Sequence, residues 1–202
     1  VFLFGVIILF VAITLYQDLS ESHIKHYCEI EEVIDYLLIR TPMTTEEVIQ
    51  WVHELLKNGF SKDKIIIHSD INVITQCDLS AIHFRENDPH IEEVQASYPD
   101  IQVSMSTHHK DGVANAKYLG LDFVLFGHVF ETPSKPQQTP RAKSEVEGAL
   151  QIDIPIIAIG GINQHTLPSL PNGFSGIAGI SIFNQYSKQK LMNMKEVWDG
   201  HV

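Results

Sequence analysis

A chain of 202 residues, 44% of them hydrophobic, is long enough to bury one sizeable core, and a single domain is the expectation. Its net charge of −11, from 14 Lys and Arg against 25 Asp and Glu, argues against nucleic acid or an anionic membrane surface as the main partner, because both need concentrated positive charge. An anionic ligand must then be held by local groups rather than by the overall field.

Val1 to Leu15 is almost wholly apolar, yet it is shorter than the roughly 20 residues of a spanning helix and lacks the basic and small-residue features of a signal peptide. The expectation is a cytoplasmic protein with no membrane partner. Cys28 and Cys77 show no CxxC or disulfide spacing, which fits a reducing compartment.

In chain order after the apolar start, Ser20 to Glu32 reads as polar and irregular. Val33 to Arg40 reads as a second strand with Arg40 at its C-terminal end. Thr44 to Lys57 carries a capping signature and apolar residues Val48, Trp51, Val52, Leu55 and Leu56 at helical spacing, closed by Asn58 and Gly59. Lys64 to His68 and Ala81 to Phe84 are compact strands, with a short helix over Val73 to Cys77 between them. A helix is expected over Pro89 to Tyr98, then a strand from Ile101 to Met105 leading into Ser106, and a helix from Asp111 to Leu119.

Asp122 to Phe126 has the Val, Leu and Phe content of a strand buried on both faces, and it stops at Gly127 against a run of polar groups. His128, which follows, is the side chain whose ordinary pKa lies near neutrality, while Thr132, Ser134 and Lys135 supply hydroxyls and a cation suited to an anion. An imidazole there has two readings, an acid/base or a group that only satisfies nearby backbone. Pro133 to Arg141 holds three of the nine prolines and reads as a loop able to cover a site. A helix over Lys143 to Leu150, a strand from Ile154 to Ile159, a Gly160-Gly161 turn, a helical stretch over Gln164 to Leu170, a strand from Gly176 to Ile182 and a closing helix over Lys188 to Trp198 complete the pattern. The alternation favours parallel βα units, as a barrel or an open doubly wound sheet. The eleven histidines form no recognised metal-binding spacing, and no metal or cofactor is expected.

The string GHVFETPSK from Gly127, AIGGI from Ala158 and SMSTHH from Ser104 resembles the thiamine phosphate synthase and TenI superfamily over about Leu9 to Phe183. The resemblance implies a single-domain (β/α)8 TIM barrel over residues 9–202, with residues 1–8 an apolar N-terminal extension of unassigned role. His128 is similar to the TenI branch, the thiazole tautomerases, where the synthases carry Pro. It would be the catalytic acid/base, with a thiazole phosphate as the small-molecule partner. Gly160, Gly161, Ile180 and Ser181 would hold the phosphate, because backbone N–H groups at such turns bind anions without Lys or Arg. Arg40, Ser106, Thr132, Ser134 and Lys135 would contact the rest of the substrate, although a strand-end Arg in a surface ion pair fits the sequence as well.

The departures from the synthases bear on the branch. Strand two ends with Leu38, Arg40, Thr41 and Pro42 where the synthases place Gln, Arg, Glu and Lys. His68, Ser69 and Asp70 replace an Asn-Asp-Arg segment with a magnesium-binding Asp, and Phe84 to Asn87 replace Gly-Gln-Glu-Asp. A pyrophosphate leaving group needs Mg²⁺ and cations, so the expectation is an isomerase rather than a transferase. A synthase-like transferase and a non-catalytic thiazole phosphate-binding protein are the two alternatives, and a homo-oligomer is compatible with all three.

Overall fold

The computed structural model describes residues 9–199. The apolar stretch 1–8, and with it the expected N-terminal extension, lies outside the described residues. Eight parallel strands, β1 (Leu9–Ile13), β2 (Tyr36–Ile39), β3 (Ile65–His68), β4 (Ala81–Phe84), β5 (Gln102–Thr107), β6 (Phe123–Gly127), β7 (Ile156–Ile159) and β8 (Gly176–Gly179), close into a barrel in sequence order, with β8 pairing β1. Around it lie α1 (Glu21–Ile30), α2 (Thr45–Lys57), α3 (Ile71–Cys77), α4 (Ile91–Ser97), α5 (Lys110–Tyr118), α6 (Lys143–Ala149), α7 (Ser181–Gln185) and α8 (Lys188–Asp199). This is the single-domain (β/α)8 barrel expected of the sequence. Among the described residues no helix is long and apolar enough to cross a membrane.

Both faces of each strand are covered, which is why the strands read as continuous apolar runs. In β3, Ile65 and Ile67 pack outward with the helices, while Ile66 joins an interior cluster with Val11, Ile13, Leu38, Ala81 and Leu125. The register aligns the inward layer, pairing Leu38 with Ile66. Two residues further along the same strands the inward positions are Arg40, His68 and His83, and in β5 Ser104 and Ser106 alternate with the outward Val103 and Met105. The barrel is therefore dry below and polar at its C-terminal mouth.

Three local expectations are corrected. Ser20 to Glu32 is not irregular but holds α1, because Ile24, Tyr27 and Ile30 recur at three-residue intervals and are all buried. Its cap uses an imidazole in place of the usual Glu or Gln, the Ser20 amide donating to His23 Nδ1 at 2.8 Å. The eighth strand ends at Gly179 rather than Ile182, so Ile180 and Ser181 form the turn into α7 instead of a strand end. The Asn184 amide holds that turn, donating to the carbonyls of Ile180 at 2.7 Å and Ile13 at 2.9 Å. Gln164 to Leu170 tightens to a single 3₁₀ turn, Leu167–Ser169, around Pro168. Elsewhere element ends shift by up to three residues, and Thr44 caps α2 as its sequence suggests, accepting from the Glu47 amide.

Candidate functional site

The mouth is assembled from strand ends. Thr14, just past β1, donates to the Arg40 carbonyl at 2.7 Å and accepts from the Arg40 amide at 2.9 Å, which pins the start of the loop after β2. The Arg40 guanidinium lies 4.5 Å from the centre of the Tyr16 ring. It forms no ion pair among the described residues, so the surface salt bridge is not what Arg40 makes. The chain's three arginines, Arg40, Arg85 and Arg141, all sit at this face and none pairs with a carboxylate among the described residues. On a chain of net charge −11, these guanidinium groups are local cations available to an anion entering the mouth.

Behind Arg40 lies a histidine pair. His68 and His83 are aligned across β3 and β4, with ring centres 6.1 Å apart. His83 is 1% exposed and bonded at both nitrogens, Nδ1 to Ser104 Oγ at 2.9 Å and Nε2 to Ser106 Oγ at 3.0 Å. Burial pulls the pKa of His83 down to about 3, with His68 adding to the effect. Burial, then the charges of Arg40 and Arg85, takes His68 to about 4. Both rings are therefore neutral at physiological pH. The signal that finds them is the period of two, which makes His68 inward once Ile66 is, and His83 once Ala81 is.

His128 follows β6 and is 3% exposed. A cis peptide joins it to Gly127. Its Nε2 lies 3.1 Å from the Gln138 carbonyl, which can only accept, so Nε2 carries the proton. Nδ1 is then a lone-pair acceptor, buried and without a partner among the described residues. The chain beyond His128 runs along the β7 exit, with Val129 donating to Ile159 and Phe130 to Gly160. A Cβ at Gly160 would collide with the Cβ of His128, and its φ of +96° suits glycine. The turn that was expected to bind phosphate thus also backs the imidazole. The amides of Gly161 and Ile180 donate to no acceptor among the described residues, and Ser181 opens α7 beside them.

The segment 131–141 folds over His128 as consecutive turns. The Arg141 amide donates to the His128 carbonyl at 3.0 Å, and Arg141 Nη1 donates to the His108 carbonyl at 3.2 Å. Thr132 and Lys135 line an open cavity of about 690 Å³ made wholly by this loop, and Ser134 is exposed beside it. Among the described residues no hydrogen bond or ion pair joins these three to Arg40, Ser106 or the glycine turn. The structure therefore brings together two groups, Arg40 with Ser106 and the histidine pair, and His128 with Gly160 and Gly161. Gln138 and Arg141, which orient His128, went unnoticed because their role comes only from the loop's return path.

The model of the thiamine monophosphate synthase family matches residues 19–183. The chain belongs to this thiamine phosphate synthase and TenI family. The thiamine-phosphate synthase of Bacillus velezensis is 28% identical over 139 residues, 64% of this chain and 60% of that protein. The thiamine-phosphate synthase of Chlorobium phaeobacteroides is 28% identical over 145 residues, 69% of this chain and 70% of that protein. The match thus spans about three fifths of the length of the Bacillus relative. Among solved structures, thiamine phosphate pyrophosphorylase from Pyrococcus furiosus superposes with a TM-score of 0.78 at 18% identity, over 96% of this chain and 97% of that one. The corresponding protein from Bacteroides thetaiotaomicron gives 0.69 at 20% identity, over 95% and 98%. At these identities the structural likeness establishes the fold alone.

Proposed function

We propose that this family member is a thiazole tautomerase, converting the dihydrothiazole carboxylate phosphate to its aromatic tautomer. The observation that carries the reading is the imidazole of His128, with its proton-bearing Nε2 held by Gln138 and its Nδ1 lone pair unused. Tautomerisation moves a proton off ring C2 and places one on the exocyclic carbon, so one base that accepts and then returns a proton is sufficient. A positioned imidazole contributes roughly 10² to 10⁴-fold to such a step. The amides of Gly161 and Ile180, which donate to no acceptor among the described residues, are suited to the phosphate at the turn that Gly160 opens, Arg40 to the carboxylate, and Thr132, Ser134 and Lys135 to the rim as the loop is occupied. Fixing the two ends of the substrate would present C2 to His128 without a further reactant.

The relatives named thiamine-phosphate synthase favour a second reading, a transferase. The donor set does not fit the magnesium site that the synthase resemblance implies. Ser69 stands where that branch has its carboxylate, and the neighbouring Asp70 is committed to α3, accepting from the amides of Asn72 and Val73 and from the Thr45 hydroxyl. The decisive experiment follows ultraviolet absorbance as the dihydrothiazole carboxylate phosphate aromatises, with divalent metals chelated. Acceleration over buffer is the expected result. No acceleration, together with Mg²⁺-dependent pyrophosphate release in a synthase assay, would replace this reading with the transferase.

A further inference from the structure

The hydrogen bonds around His83 run in one direction. The Ser104 hydroxyl donates to the Ile82 carbonyl at 3.3 Å, which uses its only proton. At 2.9 Å from that oxygen, His83 Nδ1 must then be the donor. A neutral imidazole carries one N–H, so Nε2 is the acceptor and the Ser106 hydroxyl, 3.0 Å away, donates to it. Ser104 and His83 are buried, whereas Ser106 is partly open toward the mouth. Its proton is spent inward, and only lone pairs remain on the open side.

From this geometry we infer that His83 is a positioning residue: it fixes the Ser106 hydroxyl as an acceptor, which turns a substrate carboxylate away from Ser106 and leaves it to Arg40. The inference rests on the tautomerase reading only in naming that carboxylate. An oxygen lone pair set against a carboxylate oxygen repels it, and specificity is often built from such a repulsive element. The groups facing His83 agree with a neutral ring. His68 is its titratable neighbour, Arg40 and Arg85 act on His68, and both polar partners of His83 are uncharged hydroxyls. A protonated ring would donate at both nitrogens and turn the Ser106 proton outward, so the inferred polarity requires the neutral form.

The test begins with the full chain, labelled with ¹⁵N-histidine and read by long-range ¹H–¹⁵N spectra from pH 8 to pH 5, with His83→Asn used only to assign the signal. A pyrrole-type Nδ1 and a pyridine-type Nε2 that do not titrate over this range are expected. A pyrrole-type Nε2, or titration above pH 5, overturns the inference. Ser104→Ala removes the acceptor of Nδ1–H and is expected to admit the Nε2–H form as a second population, a change that a purely structural serine would not produce. In the binding arm, the aromatic thiazole carboxylate phosphate is titrated calorimetrically. Ser106→Ala is expected to stay within threefold of wild type while Arg40→Ala weakens binding tenfold or more. A tenfold loss in Ser106→Ala would mean that the hydroxyl donates to the carboxylate, which also overturns the inference. Failure of this ligand to bind wild type counts against the tautomerase reading alone, and the spectrum still decides the polarity of Ser106.

Discussion

His128 and Gln138 are ten residues apart and face each other across the turn of the loop, imidazole Nε2 to carbonyl oxygen at 3.1 Å. Because the carbonyl can only accept, this one contact selects the tautomer and leaves Nδ1 as the available base. A backbone carbonyl makes a robust orienter, since no side-chain substitution at Gln138 removes it.

His128→Ala is expected to lower the rate of aromatisation by about 10² to 10⁴-fold, the usual contribution of a positioned general base. Gln138→Ala keeps its carbonyl and is expected to stay within a few-fold of wild type. Equal rates for wild type and His128→Ala in the absorbance assay would remove His128 from the chemistry.

Gly160→Ala places a methyl group against the Cβ of His128 on a backbone with φ of +96°. Strain at such a position is of order 1–3 kcal/mol. For a chain of this size each kcal/mol lowers Tm by about 2–4 °C. The variant is therefore expected to melt several degrees lower in calorimetry and to lose activity as the imidazole is displaced. A Tm and rate matching wild type would show that the turn and the imidazole are not packed as described.

Among the described residues Arg40 holds no carboxylate, so its charge is free for ligand. A hydrogen bond to a charged group is worth about 1.5–3 kcal/mol. Arg40→Ala is expected to raise KM by at least about tenfold, and added salt should weaken the wild type more than the variant. A variant with unchanged KM would assign the substrate carboxylate to another cation, Arg85 being next in line.

Acid should unfold this protein partly through His68 and His83. Their folded pKa values, about 4 and about 3, lie below the value near 6.5 of an unfolded histidine. Between those limits the unfolded state binds more protons, so stability is full above about pH 6.5 and falls as pH drops toward 4 and 3. Each histidine adds at most about 1.4 kcal/mol per pH unit to the slope. Urea titrations from pH 8 to pH 4 should give a shallower slope for His83→Asn than for wild type. Parallel slopes would mean that His83 is protonated in the fold.

Much of this was legible along the chain. The eight apolar runs, the glycine after β6, the histidine behind it and the Gly-Gly turn after β7 are local features, and local propensity with period-two burial is sufficient to place them. Helix α1 is hard to see along the chain because the residue that closes its cap onto Ser20 is His23 rather than the usual Glu or Gln.

The order of the eight strands, the family and the residue types available at the mouth are legible along the chain, whereas α1 and α7 are not. Only the tertiary structure decided which of the mouth residues meet. Closure of β8 onto β1 turns separate strand ends into one rim, setting His68 beside His83 and His83 between two serines 21 and 23 residues away. The direction of each hydrogen bond there, the tautomers of His83 and His128, and the absence of a carboxylate beside Arg40 among the described residues follow from long-range packing. No local window of sequence carries that information, because each depends on which acceptor the folded chain brings within about 3 Å.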